Sequence, residues 1–332
     1  MITGAKQYDP RVAAALIKEK ALQLGFSACG IARVHPLPDD SDYLQKWLAA
    51  GHSGKMGYLA NHADLRNDPS VLVPGAKSVV VVLLNYATSF SQQSESLKIA
   101  RYAHGDDYHF VVKQFLGELL RFIADEIAPV AGRVFCDSAP VFERRWAHEA
   151  GLGWIGLNHC LIHPKFGSFC FIGELIIDLE LEYDHPIEGD CGFCGRCVTA
   201  CPTEAIQPQG FLKAEKCISY LTVELKDEIP QEYQQKLSGY VAGCDKCQEV
   251  CPWNRKASAY TAPIWEVDKS MLLMSDQDWL SLEKPEFKRK FSKSSLTRLG
   301  YKKLMKNCQI AFEAAETGRE AHTQQKTNST II

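Results

Sequence analysis

The sequence lacks the features that would place the chain in a membrane or on a secretory route. Its first ten residues are polar and do not resemble a signal peptide. No apolar run is long enough to span a bilayer, because Glu174 and Asp178 interrupt the run from Phe169 to Leu181. The net charge of −3 over 332 residues provides no global attraction to nucleic acid. We therefore expect a cytoplasmic protein of two or three domains that does not interact with membranes.

The sequence also lacks a convincing nicotinamide site. Gly151, Gly153 and Gly156 fit the GxGxxG fingerprint, which needs a strand before it and a helix after it. Here a predicted helix precedes the glycines and a strand-like segment follows them. A tight turn between helix and strand is the better interpretation. No zinc constellation is evident among five scattered histidines, which we expect in packing or surface roles: His104, His109, His148, His159 and His163.

Cysteine, in contrast, is abundant, and eight of the thirteen cysteines fall into two spaced runs. The first run places Cys191, Cys194, Cys197 and Cys201 at the spacing of bacterial ferredoxins, with Pro202 after the fourth cysteine. The second run repeats the last three of these cysteines and its proline: Cys244, Cys247, Cys251 and Pro252. Cys217 is the candidate for the missing first cysteine of the second run.

This spacing predicts two 4Fe–4S clusters, because two-residue gaps let one loop place three thiolates on three iron corners. Each Cys-Pro pair is expected to start a helix that carries the fourth thiolate to the other cluster. One cluster then takes Cys191, Cys194, Cys197 and Cys251, and the other takes Cys201, Cys217, Cys244 and Cys247. Zinc knuckles are the alternative for CxxC pairs, and disulfides are a weaker one in a chain without a secretory signal.

Strands and helices alternate through about residue 185, which predicts an α/β or α+β domain. We expect a helix over 10–24, with an apolar face of Val12, Ala15, Leu16 and Leu22. The apolar segment 78–85 is predicted to be a strand covered on both faces, and 133–137 another strand. Asp137 follows this second strand, where it would either cap the next helix or act as a general acid.

Several stretches together resemble the epoxyqueuosine reductase family, and this likeness covers about residues 8–310. The matching stretches are Arg101–His109, Asp137–Arg145, Ala150–Asn158, Gly167–Leu175, Cys217–Thr222 and Gly243–Asn254. The resemblance implies reduction of epoxyqueuosine to queuosine in the wobble position of tRNA. It also implies a cobalamin cofactor, bound base-off without a histidine ligand to cobalt, since a DxHxxG corrinoid motif is absent.

The family's functional residues map onto specific positions of this chain. Asp137 matches the position assigned as proton donor, which favours the general-acid role over the cap. The resemblance also implies cobalamin contacts at Arg66, Asp137, Leu161, Ile172, Ser219 and Asp245. The implied partners are tRNA carrying epoxyqueuosine and a low-potential electron donor, and we expect a monomer.

The resulting prediction is an α+β chain of three domains and a tail. Residues 1–185 form an α/β-type cobalamin-binding and catalytic domain, 186–256 a ferredoxin-like two-cluster module, and 257–316 a basic helical region. Leu304–Phe312 resembles the start of a HEAT-like repeat, of which longer family members have several. Residues 317–332 are rich in Glu, Thr, Gln and Asn and are predicted to be disordered.

A basic segment supplies the surface that a tRNA partner requires. Nine basic residues are opposed only by Glu286: Lys284, Lys288, Arg289, Lys290, Lys293, Arg298, Lys302, Lys303 and Lys306. Trp253, Arg255 and Lys256 could add stacking and phosphate contacts. A solvated helix face that binds no tRNA is the alternative interpretation of this basic segment.

Two rival functions remain for the chain as a whole: a ferredoxin-type electron carrier and a corrinoid reductive dehalogenase.

Overall fold

The computed structural model describes residues 8–259 and 264–329, with no account of the side chains of 318–329. The polar start (1–7), part of the predicted linker (260–263) and the last three residues lie outside these ranges. Packing divides the chain into two compact units. Unit 1 comprises the described parts of Met1–Thr88, Tyr108–Gly195 and Gln248–Trp265; unit 2 comprises those of Ser89–Asp107, Arg196–Cys247 and Glu266–Ile332.

Unit 1 is built around a four-stranded antiparallel sheet in the order β1-β2-β7-β4. Its strands are β1 (Ala28–Arg33), β2 (Ser78–Asn85), β4 (Gly132–Phe135) and β7 (Cys170–Ile177), and β5 (Trp154–Ile155) pairs with β6 (Leu161–Ile162). Its helices are α1 (Pro10–Gln23), α2 (Pro38–Ala49), α3 (Ala63–Asn67), α4 (Pro69–Leu72), α5 (Tyr108–Phe122), α6 (Glu143–Glu149) and α10 (Pro252–Arg255). A π turn, Ile123–Ile127, extends α5. The antiparallel pairing matches the α+β prediction, whereas the α/β alternative would need parallel strands.

The prediction for β2 is confirmed, because all eight of its residues are buried. Each fully buried Val or Leu side chain contributes roughly 1.5–3 kcal/mol of transfer free energy. Gly173 on β7 lies against α5: a Cβ there would be 2.4 Å from Val112 Cγ1. The neighbouring position, Glu174, therefore points to the opposite face of the sheet, where α6 packs.

The predicted apolar face of α1 is wrong. Val12 and Leu22 are 55% and 52% exposed. The buried positions are Ala13, Ala14, Ile17 and Ala21. They follow the same helical spacing on the neighbouring face, where three alanines let the helix backbone approach the sheet closely.

Unit 2 is mainly helical. Its strands β3 (Lys98–Ile99) and β8 (Tyr240–Ala242) pair in parallel. Its helices are α7 (Arg196–Thr199), α8 (Gln231–Gln234), α11 (Lys269–Leu272), α12 (Asp276–Leu280), α13 (Lys284–Lys290) and α14 (Tyr301–Ser329), and α9 (Lys246–Glu249) runs across the boundary between the units. The backbone is helical over 317–329, where the sequence predicted disorder from polar composition. No helix in the described ranges combines the length and hydrophobicity needed to cross a bilayer.

Candidate active site and cysteine centres

Asp137 lies just beyond the carboxyl end of β4, in a left-handed backbone conformation with φ of 57°. That conformation costs a non-glycine residue about 1–3 kcal/mol and is typically maintained by surrounding contacts at functional sites. The residue does not cap the next helix, because α6 begins at Glu143 with Phe142 as its N-cap. The cap alternative is therefore wrong. The side chain of Asp137 is 48% exposed and available to a substrate.

Two residues at the start of α5 contact the Asp137 carboxyl group. The Tyr108 hydroxyl donates a hydrogen bond to Asp137 Oδ2 at 2.6 Å, and His109 Nε2 lies 3.1 Å from the same oxygen. The Tyr108 ring stacks on Phe171 of β7 with centroids 4.3 Å apart. One carboxyl oxygen is thereby held in place while the side chain remains open to solvent.

Two further carboxyl groups lie behind Asp137. Glu143, the first residue of α6, accepts the backbone N–H of Asp137 through Oε1. Burial, followed by the neighbouring Asp137, raises the pKa of Glu143 to about 8. Glu174 is fully buried, and burial together with Glu143 and Asp137 raises its pKa well above the usual range. Both glutamates therefore hold a proton near neutral pH.

The cysteines of unit 1 that were assigned to one cluster lie near each other. Burial raises the pKa of the Cys251 thiol, and Cys194 and Cys191 raise it further. The Cys251 sulfur also accepts the backbone N–H groups of Trp253 and Asn254, which lowers the same pKa. The Trp253 indole N–H donates to the Cys191 carbonyl at 3.1 Å. Cys251 is the N-cap of α10, so this Cys-Pro pair starts a helix as predicted.

The four cysteines assigned to the other cluster all belong to unit 2. Burial raises the pKa of Cys244, and Cys217 and Cys201 add to the rise, so these three thiols are neighbours. The Cys201 sulfur accepts the Ala205 N–H at 3.3 Å. Cys247 lies in α9, one turn beyond Cys244. N–H donors to sulfur are a means by which proteins tune iron–sulfur clusters.

The cysteine region departs from the prediction at the first Cys-Pro pair. Cys201 and Pro202 lead into a turn instead of a helix, and Glu204 in that turn has φ of 55°. Cys197 lies in α7. No disulfide joins any of the thirteen cysteines in the described chain. Over 8–259 and 264–329, no three His, Cys, Asp or Glu side chains are grouped to hold a single metal ion.

The predicted cobalamin contacts of unit 1 lie on three separate elements. Arg66 on α3 is buried, and its Nη1 donates to the Leu59 and Asn61 carbonyls, both at 3.1 Å. Leu161 lies on β6, and Ile172 lies on β7 beside the buried core.

The turn before Leu161 contains polar atoms without partners. Asn158 Nδ2 and His159 Nε2 are buried and make no hydrogen bond among the described residues. The predicted glycine turn that precedes them is confirmed, because Gly153 has φ of 152° and a Cβ there would lie 2.3 Å from the Ile162 carbonyl oxygen. Amide-rich ligands such as a corrinoid offer partners for such orphaned groups.

The predicted contacts of unit 2 are Ser219 and Asp245. Ser219 is the N-cap of the π turn Tyr220–Glu224, in the segment that follows Cys217. Asp245 is buried beside Cys244, and its Oδ2 accepts the Arg101 backbone N–H at 2.9 Å.

The basic residues of unit 2 divide into two groups. Lys290, Lys303 and Lys306 are committed internally: Lys290 donates to the Ser270 carbonyl, Lys303 to the Leu221 and Leu225 carbonyls, and Lys306 pairs with Glu228. The remaining exposed residues are Lys284, Lys288, Arg289, Lys293, Arg298 and Lys302. We call these six the basic face of unit 2. Arg255 and Lys256 are exposed on unit 1.

Sequence reasoning missed four residues at the Asp137 site: Tyr108, His109, Glu143 and Glu174. His109 was assigned to packing or the surface, yet it contacts the candidate acid. A buried glutamate between apolar residues on β7 was the available signal, since Glu is rarely buried without a partner. The expected packing role holds for His104, which is buried and bonded to the Ile99 carbonyl, with burial lowering its pKa to about 4.

Two family models match the chain. A 4Fe–4S double cluster binding domain covers residues 190–254, and the family described as "Epoxyqueuosine reductase QueG, DUF1730" covers 66–138. The first range coincides with the predicted cysteine module and shows that the chain carries a domain for two 4Fe–4S clusters.

Relatives and solved structures agree with these matches. An epoxyqueuosine reductase from Cellulophaga algicola is 46% identical over 292 residues, covering 88% of this chain and 95% of that protein. The crystal structure of an epoxyqueuosine reductase with an epoxyqueuosine-modified tRNA-Tyr stem loop superposes with a TM-score of 0.82 at 29% identity, covering 90% of this chain and 80% of the other.

A Bacillus subtilis epoxyqueuosine reductase has its catalytic aspartate loop swung out of the active site. It has the same TM-score of 0.82 at 28% identity, covering 92% of this chain and 83% of the other. A reductive dehalogenase reaches 0.51 at 18% identity, covering 75% of this chain and 33% of that one, and shares the fold alone. With high identity over most of its length, this chain belongs to the epoxyqueuosine reductase family.

Proposed function

We propose that this chain reduces epoxyqueuosine to queuosine in the wobble position of tRNA. Beside family membership, the proposal is supported by the position and contacts of Asp137. Its carboxyl group is exposed, left-handed turn geometry presents it at the end of β4, and Tyr108 and His109 fix one of its oxygens. A positioned carboxyl group of this kind suits general-acid catalysis.

The reaction removes the epoxide oxygen as water and leaves an alkene. It consumes two electrons and two protons for each epoxide. Asp137 donates one proton to the departing oxygen, and solvent supplies the other and reprotonates the carboxyl group. Tyr108 and His109 hold the oxygen Oδ2 and thereby fix the orientation of the carboxyl group. General-acid catalysis of this type typically contributes 10²–10⁴-fold.

The residues present fit the two kinds of cofactor expected in this family. The cobalamin contacts remain those that the family resemblance implies: Arg66, Asp137, Leu161, Ile172, Ser219 and Asp245. The orphaned Asn158 Nδ2 and His159 Nε2 would provide further hydrogen bonds. When bound, the corrinoid supplies a strong reductant and the 4Fe–4S clusters supply electrons one at a time.

The cysteine ligand sets are the most direct part of the proposal to test. Cys244→Ala should reduce iron from about eight to about four per chain and abolish turnover. Cys308→Ala is the matched control: it removes a buried cysteine of unit 2 outside both sets and should leave iron unchanged. Retention of all iron by Cys244→Ala would contradict the ligand assignment.

We assign tRNA binding to the basic face of unit 2, with Trp253, Arg255 and Lys256 as further contacts. The double variant Lys288→Gln, Arg289→Gln should weaken tRNA binding and reduce the slope of log K against log salt by roughly 0.7–0.9 for each lost phosphate contact. Lys226→Gln with Lys236→Gln removes the same charge elsewhere on unit 2 and should bind as wild type. Equal effects from both pairs would indicate a general charge effect instead of a docking face.

Anaerobic purification followed by turnover of epoxyqueuosine-containing tRNA tests the function as a whole. Iron near about eight per chain, a corrinoid absorbance and formation of queuosine are expected. Iron without corrinoid would favour the electron-carrier alternative, and turnover of an organohalide would favour the dehalogenase alternative. A cytoplasmic location, a monomeric state and a low-potential electron donor complete the proposal.

A further inference from the structure

Glu174 is an unusual residue for the centre of a sheet. It lies opposite Val81 and Phe135 in the strand register and is 0% exposed. Neither of its carboxyl oxygens has a hydrogen-bond partner in the described chain. Its side chain faces α6, among the buried core of Val81, Phe135, Trp146 and Ile176. Ionisation there would cost far more free energy than protonation does.

Glu143 connects this buried group to the candidate acid. It occupies the first turn of α6, and its Oε1 accepts the backbone N–H of Asp137. The hydrogen bond engages the main chain of the residue that adopts the strained left-handed conformation. Loss of the acceptor would therefore release the turn that presents the Asp137 side chain.

We propose that Glu143 and Glu174 form a neutral, proton-holding carboxyl pair that positions Asp137 for proton donation. The inference rests on the proposed function, and it adds two residues to the machinery of that reaction. Both are positioning residues, because they act through Asp137 and do not reach the substrate. Glu143 holds the turn through its hydrogen bond to the Asp137 backbone, and Glu174 is the fully buried member of the pair, away from water.

Neutrality is what makes the pair suitable for this task. A carboxylate at Glu143 would bring a negative charge against Asp137 and Glu174, and repulsion would loosen the turn. The charged or titratable groups that interact with the pair are His109 on α5, Cys136 and Asp137 at the end of β4, and Arg144 on α6. Lys113 on α5 acts on Cys136 and donates to the Ser138 hydroxyl. Burial and the neighbouring Asp137 dominate over the basic groups Arg144 and His109, since the pKa of Glu143 rises to about 8.

Substitution by glutamine separates this proposal from an ordinary structural role. Glu143→Gln keeps an oxygen that accepts the Asp137 N–H and is neutral at every pH. Glu143→Leu keeps the volume and removes the acceptor. In the wild type we expect kcat to decline above pH 8, where Glu143 ionises. In Glu143→Gln we expect kcat within about threefold of wild type at pH 7 and no such decline above pH 8. We expect Glu143→Leu to lose at least tenfold in kcat, with KM little changed. Glu149→Gln, on the same helix, is the matched control and should behave as wild type.

A spectroscopic measurement tests the pair without reference to turnover. Infrared spectra of the folded protein at pH 7 should show protonated-carboxyl bands that Glu143→Gln and Glu174→Gln each reduce, whereas Glu149→Gln should not. This readout holds even if the enzyme acts on another substrate, so failure of the pair and failure of the proposed function give different results.

Three outcomes would overturn the inference. One is loss of activity in Glu143→Gln as large as in Glu143→Leu, which would show that an ionisable carboxyl group is required. A second is wild-type kcat in Glu143→Leu. The third is unchanged protonated-carboxyl bands in both glutamine variants. If Glu143→Leu does not fold, the infrared comparison and the pH profile of Glu143→Gln decide the question.

Discussion

Asp276 of unit 2 and Glu174 of unit 1 are both carboxyl groups drawn away from water, and their surroundings affect them in opposite ways. Asp276 accepts the Ser94 hydroxyl, the Ser96 N–H at 3.1 Å and the Leu97 N–H at 3.2 Å. Burial raises its pKa, but these hydrogen bonds outweigh burial and the net pKa is lowered. Glu174 has no such donors, and its pKa is raised.

The comparison shows that the charge of a carboxyl group in this protein follows from the balance between burial, which raises its pKa, and hydrogen-bond donors, which lower it. Asp276 is ionised and joins the segment 94–97 to the start of α12, which is a structural task. Glu174 and Glu143 are neutral and lie next to the candidate acid, as is typical of carboxyl groups with a shifted pKa at functional sites. Asp137 combines features of both: its side chain is half exposed to water, and Tyr108 and His109 contact one of its carboxyl oxygens.

The largest expected effect is at Asp137, the most exposed of the three neighbouring acids Asp137, Glu143 and Glu174. Asp137→Ala and Asp137→Asn should reduce turnover by about 10²–10⁴-fold, because each removes the donated proton. Single-turnover assays with iron and corrinoid content measured on the same sample check this. Asp39→Asn, an exposed acid on α2, serves as control. Near-wild-type turnover of Asp137→Ala with full cofactor content would refute the general-acid role.

Asp276→Ala should affect stability without affecting the chemistry. It leaves three donors without their acceptor, so the free energy of unfolding should fall by about 3 kcal/mol. Denaturant unfolding followed by circular dichroism measures this, and turnover per folded molecule should stay unchanged. Asp276→Asn retains an acceptor oxygen and should lose less. Equal losses in the two variants would show that the charge, and not the acceptor geometry, stabilises this segment.

The two kinds of carboxyl group also predict opposite pH dependences of stability. Glu143 ionises at about 4.5 when unfolded and at about 8 when folded, so the native state binds more protons between these values. The free energy of unfolding should therefore fall as pH rises through this window, by up to about 1.4 kcal/mol per pH unit. Above pH 8 it should level off. The Asp276 contribution has the opposite sign: it is present above the unfolded pKa and lost as pH falls through the lowered folded pKa.

Glu143→Gln tests the first of these slopes. It should flatten the decline between pH 5 and 8 when unfolding is measured at several pH values, and Glu149→Gln should not. An unchanged slope in Glu143→Gln would mean that Glu143 titrates normally in the folded protein.

The smallest expected effect is at Tyr108. Tyr108→Phe removes one donor to Asp137 Oδ2 and keeps the ring that stacks on Phe171. Because one hydrogen bond to a carboxyl group contributes about 1.5 kcal/mol, turnover should fall roughly tenfold. Steady-state kinetics of the variant check this, and a loss as large as that of Asp137→Ala would give Tyr108 a more direct part in the reaction.

Much of the fold could be predicted because its signals are local. The apolar segment of β2 required burial on both faces, and the helix that begins at Pro10 was predicted from its apolar periodicity. The face of α1 was assigned wrongly because two overlapping sets of apolar residues share the helical period, and only the shape of the sheet selects one. The antiparallel order β1-β2-β7-β4 joins strands far apart in sequence and left no local signal.

The sequence alone determined the chemistry of the cysteine module, because the spacing of cysteines within a loop is a short-range property that dictates which metal centre can form. It also identified Asp137, through resemblance. Only the tertiary structure decided that Tyr108 and His109 meet Asp137, that Glu143 accepts the Asp137 backbone N–H, and that Glu174 is buried behind them. The physical reason is that a carboxyl group takes its charge from neighbours that distant segments bring together, and residue identity carries no record of those neighbours.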